Sequence, residues 1–144
     1  MSSVGSASFD DDGEVRLAQS AAGPRVLVVE DHSMIASLLT DDLKEFGYSV
    51  VGPAGTLAEA MALASTATLD GAIIDIVLGE ESALPVAQIL ADRHIPFVFM
   101  TGLLERPEAA FHDVPTLDKP FTVEQLRQAL QQLLPSVEGI QPSL

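Results

Sequence analysis

Arg25-Val26-Leu27-Val28-Val29-Glu30-Asp31 is the stretch on which the fold turns. Four consecutive apolar residues, three of them β-branched, read as a short strand covered on both faces. The run then stops on two adjacent carboxylates. Capping the next helix or opening a turn accounts for one acidic residue there, but not for a pair.

Outward from this strand, helix and strand patterns alternate. Ser33 is placed to cap a helix carrying Ile35, Leu38, Leu39, Leu43 and Phe46, stopped by Gly47. Tyr48–Val51 reads as a second strand. Thr56 and Glu59 form a capping box before a helix with Leu57, Ala60, Met61 and Ala64 on one face. Ala72–Ile76 is a third strand, and Ser82 begins a helix with Pro85 in its first turn. Phe97–Thr101 is a fourth strand, with Pro96 before it. A short helix is expected over Arg106–His112 and a weak fifth strand over Val114–Leu117. Thr122 and Gln125 form a second capping box, opening a helix with Leu126, Ala129, Leu130, Leu133 and Leu134 on one face. Five such strand–helix units predict an α/β domain whose parallel sheet has helices on both faces. The domain is expected over 24–135, between a flexible tail at 1–23 and a second tail at 136–144.

Composition narrows the function. The 144 residues contain no cysteine, which removes disulfides, zinc–thiolate sites and thiol catalysis. No apolar run approaches the ~20 residues of a membrane span, and no basic-then-apolar leader opens the chain. A cytoplasmic protein with no membrane partner is therefore expected. The net charge is −14, of which residues 1–24 hold −3, leaving −11 for the rest. Such a surface repels phosphate backbones, so no nucleic-acid partner is expected. Much of this charge serves solubility alone.

Polar residues gather where strands end. Glu30 and Asp31 follow the first strand, Asp75 lies at the end of the third, Thr101 closes the fourth, and Asp118 and Lys119 follow the fifth. Parallel sheets bind ligands beyond their carboxyl ends. One pocket should thus hold the three carboxylates of Glu30, Asp31 and Asp75, the Thr101 hydroxyl and the Lys119 ammonium. Clustered carboxylates repel one another, and an all-oxygen set suits Mg²⁺ or Mn²⁺. A carboxylate beside such an ion can attack phosphorus, while Lys119 and Thr101 hold the phosphoryl oxygens. Asp75 lies inside Ala-Ile-Ile-Asp-Ile-Val-Leu, where an idle carboxylate would be costly. Taken singly, Thr101 reads equally well as a strand residue and Lys119, before Pro120, as a solvated turn residue. His32 follows the acidic pair and could contact a ligand, but reads better as a loop surface residue. His94 and His112 show no ligand spacing, and no phosphate-binding glycine motif of either common type is present.

Val-Glu-Asp after the first strand, Asp75 in the third, Thr101-Gly102 after the fourth and Lys119-Pro120-Phe121 after the fifth resemble the response-regulator receiver domains of bacterial two-component signalling. The likeness covers about Pro24 to Leu134. It implies a flavodoxin-like (CheY-like) doubly wound five-stranded parallel sheet of order 2-1-3-4-5 and a cis Lys119–Pro120 bond. It implies Asp75 as phosphoacceptor, and a Mg²⁺ site of Glu30, Asp31, Asp75 and the Val77 carbonyl. Thr101 and Lys119 would contact the phosphoryl group. Ile95–Gly102 is similar to the signature of the FAT GUY receivers, which implies stress signalling, and Leu78-Gly79-Glu80 fits the same subgroup. Met100, Leu103 and Leu104 depart from that signature. Thr116 stands where many receivers carry a switch aromatic, a ring this subgroup commonly lacks.

The expectation is a stand-alone receiver, since about ten residues remain after Leu134. It would take a phosphoryl group from a histidine kinase or histidine phosphotransferase. It would then signal to a downstream protein by contact, or act as a phosphate sink. It would be no enzyme beyond its own phosphorylation and dephosphorylation. Two alternatives stand beside this. A phosphorylation-independent binding module on the same fold would ignore the acidic pocket. An Asp-nucleophile phosphatase would want a second Asp two residues after Asp75, where Val77 stands.

Overall fold

A computed structural model describes residues 23–102, 111 and 113–134. The tails expected at 1–23 and 136–144 lie, Gly23 apart, outside these residues. So does the helix expected over Arg106–His112, except for Phe111.

Five parallel strands form one sheet: β1 (Arg25–Val29), β2 (Ser49–Ala54), β3 (Gly71–Asp75), β4 (Phe97–Thr101) and β5 (Thr116–Asp118). Their order is 2-1-3-4-5. Alternation along each strand divides the core in two. Val26, Val28, Ile73, Val98, Met100 and Leu117 point to one face, where Leu39 and Leu43 of α1 (Ser33–Glu45) and Leu126 and Leu130 of α4 (Val123–Leu133) cover them. Leu27, Val29, Ala72, Ile74, Phe97 and Phe99 point to the other. There they meet Ala60 and Ala64 of α2 (Leu57–Thr66) and Val86, Ala87 and Leu90 of α3 (Leu84–Asp92). Phe111 packs edge-on against Phe97 and Phe99, with both centroids at 6.1 Å. Covering on both faces is why β1 and β3 read as unbroken apolar runs. Among the described residues no helix is long and apolar enough to cross a membrane.

The structure departs from the sequence reading at several element boundaries. The second strand runs on to Ala54, through a positive-φ Gly52 and a cis Gly52–Pro53 bond, with its register shifted against β1. A proline is tolerated because β2 is an edge strand. A Cβ on Gly52 would lie 2.8 Å from the Ala54 nitrogen, so only glycine fits. Ser33 does not cap α1; His32 occupies the cap position without a side-chain bond. Ser82 does not begin α3 either. It lies in a small antiparallel hairpin, Val77–Leu78 against Glu81–Ser82. From there its hydroxyl accepts from the Leu84 amide at 3.1 Å.

Of the two capping boxes, that of α4 closes in both directions. At α2, Thr56 accepts from the Glu59 amide, but the Glu59 carboxylate reaches past Thr56 to the Gly55 amide.

Candidate functional site

Register brings the polar strand ends together. Val29 pairs with Ile74, so Glu30 emerges beside Asp75. Asp75 pairs with Met100, placing Thr101 one step beyond, and Thr101 pairs with Asp118. Strands of unequal sequence separation therefore deliver their last polar side chains to one edge.

Oxygens of Glu30, Asp31 and Asp75 lie within 4.8 Å of one another. Glu30 and Asp75 are buried, at 2% and 5% exposure, whereas Asp31 is exposed. The Lys119 ammonium reaches across from the end of β5, with Nζ 2.9 Å from Asp75 Oδ2 and 3.4 Å from Glu30 Oε1. The Lys119 amide donates to the Thr101 carbonyl, and the bond to Pro120 is cis.

Backbone amides complete the arrangement. His32 donates to Glu30, Val77 to Asp75 Oδ1 at 3.2 Å, and Gly79 to Asp31 Oδ2 at 2.9 Å. The hairpin thus ties the loop after β3 to the end of β1. Gly79 makes this turn with φ +61, which favours glycine.

Two charges are perturbed. Burial pushes the Glu30 carboxyl above its ordinary range, and the neighbouring Asp75 charge adds to this. The His32 amide and Lys119 offset only part of it. Burial acts to lower Lys119, but the hydrogen bond to Asp75 and the charges of Asp75 and Glu30 outweigh it, so the ammonium is held above its ordinary value.

Of the expected residues, Glu30, Asp31, Asp75 and Lys119 converge directly, and Val77 joins through its amide. Thr101 lies at the same edge, 1% exposed, but its hydroxyl donates to Asp118 Oδ1 at 2.8 Å. In the sequence Asp118 reads as a strand-end residue with no role of its own. The Gly79 strap was not foreseen; the positive φ behind it leaves only a glycine in the sequence.

A groove of about 640 Å³ borders the cluster, between α1 and α4. Ile35, Leu38, Val123, Phe121 and Lys119 are among its walls.

Oxygen donors alone, from three carboxylates against one ammonium, leave an excess of negative charge that a hard divalent cation fits.

A doubly wound parallel sheet with an acidic cleft at its carboxyl edge defines a class of ligand-binding α/β domain. Within that class, residues 26–131 match the model of the response regulator receiver domain, and the chain belongs to this family of two-component signalling proteins.

The transcriptional regulatory protein PdtaR of Mycobacterium tuberculosis is 33% identical over 120 residues, covering 79% of this chain and 58% of that protein. The phyllosphere-induced regulator PhyR of Methylorubrum extorquens is 31% identical over 118 residues, covering 76% of this chain and 43% of that protein. The chain thus spans under two thirds of the length of either. The solution structure of SdrG from Sphingomonas melonis Fr1 superposes with a TM-score of 0.69 at 41% identity, covering 81% of this chain and 99% of that one.

Proposed function

We propose that the chain accepts a phosphoryl group on Asp75 from a phosphohistidine of a histidine kinase or phosphotransferase. An Asp75 oxygen forms the new bond to phosphorus as the phosphorus–nitrogen bond breaks and the imidazole keeps the electron pair. The observation that carries this reading is the contact of the buried Asp75 with Lys119 at 2.9 Å, inside a cluster of three carboxylates.

Lys119 orients Asp75 and stands ready to pair with the incoming phosphoryl oxygens. The Val77 amide fixes the Asp75 oxygen it touches. Glu30, Asp31, Asp75 and the Val77 carbonyl would hold Mg²⁺, which when bound supplies neutralisation of the gathered negative charge. Thr101 is the remaining phosphoryl contact. The phosphorylated domain then signals to a downstream protein by contact, or drains phosphate from a kinase. The likeness to SdrG, whose matched chain is spanned almost entirely, supports action by the receiver alone. The relatives named regulators support a role in bacterial regulation, and the stress-signalling reading rests on the likeness of Ile95–Gly102 to the FAT GUY signature.

The test is labelling by radioactive acetyl phosphate with Mg²⁺. The parent protein takes up label that alkali removes, and Asp75→Asn takes up none. Undiminished labelling of Asp75→Asn overturns the proposal.

A further inference from the structure

We propose that Asp118 is a positioning residue that withholds the Thr101 hydroxyl from the phosphoryl group, so that phosphorylation and release of Asp118 are one coupled event. This rests on the reading of Asp75 as phosphoacceptor and adds to it the means by which the site is regulated.

Thr101 and Asp118 are register partners at the ends of β4 and β5, so their side chains stand on the same face of the sheet. Thr101 is 1% exposed, and its hydroxyl donates to Asp118 Oδ1 at 2.8 Å. A threonine hydroxyl carries one proton to donate. The Asp118 carboxylate and a phosphoryl group on Asp75 are both acceptors, so the two compete for that proton. When the phosphoryl group takes it, Thr101 turns to another staggered rotamer and Asp118 loses its bond. Thr116, three residues before Lys119, is exposed and has no ring to follow this motion. The group set free is instead a carboxylate at the exposed rim of the sheet, where a partner can read it.

The test is a double-mutant cycle on the full chain, with beryllofluoride and Mg²⁺ standing in for the phosphoryl group and binding measured by calorimetry. Beryllofluoride must first bind the parent and not Asp75→Asn. Failure there overturns the phosphoacceptor reading and this inference with it.

Given that binding, Asp118→Asn tightens beryllofluoride about tenfold, the scale of one charge-assisted hydrogen bond. The amide can donate to the Thr101 oxygen and leave its proton for the ligand. In the Thr101→Val background the same substitution has no effect. The Thr101 methyl signal of Asp118→Asn, before any ligand is added, shifts toward that of the loaded parent. Equal tightening with and without the Thr101 hydroxyl shows a through-space charge effect and overturns the proposal. So does an Asp118→Asn variant that binds like the parent.

Discussion

Glu30 carries a strained charge. It is among the least exposed polar side chains described, and its carboxyl is held above the ordinary range chiefly by burial. A carboxyl whose folded pKa is raised binds more protons in the folded than in the unfolded state. Its contribution to stability therefore falls as pH rises from the ordinary glutamate range of about 4.3 through the raised folded value. Glu30→Gln removes that penalty and leaves Lys119 its 2.9 Å contact with Asp75. In EDTA near neutral pH, the variant should melt a few degrees above the parent, and the gap should close as pH is lowered. Mg²⁺ should reverse the order. Binding to the folded state alone stabilises the parent by about 2.7 kcal/mol at a hundredfold excess over Kd, and the variant, with one carboxylate fewer, gains less. Melting curves at several pH values, with and without Mg²⁺, check both statements. A parent that outmelts the variant in EDTA would contradict the burial argument.

Helix ends show what a local sequence can specify. α1 and α3 stop in the same way. Gly47 and Tyr48 donate to Lys44 and Leu43, while His94 and Ile95 donate to Ala91 and Leu90. Both are Schellman endings with a positive φ at the first residue past the cap, +99 at Gly47 and +60 at His94. Glycine adopts that conformation freely; histidine does so at a cost of about 1–2 kcal/mol, part of which glycine loses again to unfolded-state entropy. His94→Gly should therefore stabilise by about 0.5–1 kcal/mol, raising Tm by about 2–4 °C. Gly47→Ala should cost about 1 kcal/mol, through backbone conformation alone, because nothing lies within 4 Å of a Cβ there. Denaturant titration of both variants is the check.

The same contrast explains what was legible in the sequence. Gly47 announced the end of α1, and the runs at Val26–Val29 and Ile73–Ile74 announced strands buried on both faces. The hairpin at Val77–Ser82 did not show itself, since strands of two residues have no period to read. The cap at His32 makes no side-chain bond, so it left no signature. The acidic edge was legible because each carboxylate interrupts an apolar run. The Thr101–Asp118 pairing was not, because it depends on strand register.

At the scale of the whole molecule, the approach of a phosphodonor is constrained by what surrounds Asp75. Lys119 is shared between the acidic cluster and the apolar groove of α1 and α4. Leu38 and Val123 of the groove walls are unusually exposed, at 59% and 54%. On the proposed function, a donor helix that brings its phosphohistidine to Asp75 would lie along this rim and cover those side chains. Leu38→Asp should then slow transfer from the cognate kinase about tenfold, as loss of one interface anchor does. Labelling by acetyl phosphate should stay at the parent rate, because Leu38 touches none of the reacting groups. Parallel time courses with the two donors check this, and an equal fall in both would argue against docking at the groove. The Gly79–Asp31 strap has a consequence of another kind. Its N–H lies directly on one of the three carboxylates, so any ion arriving among them redraws the electric field at that proton. A single glycine resonance in an amide spectrum is thus a native gauge of pocket loading, with no dye or tag attached.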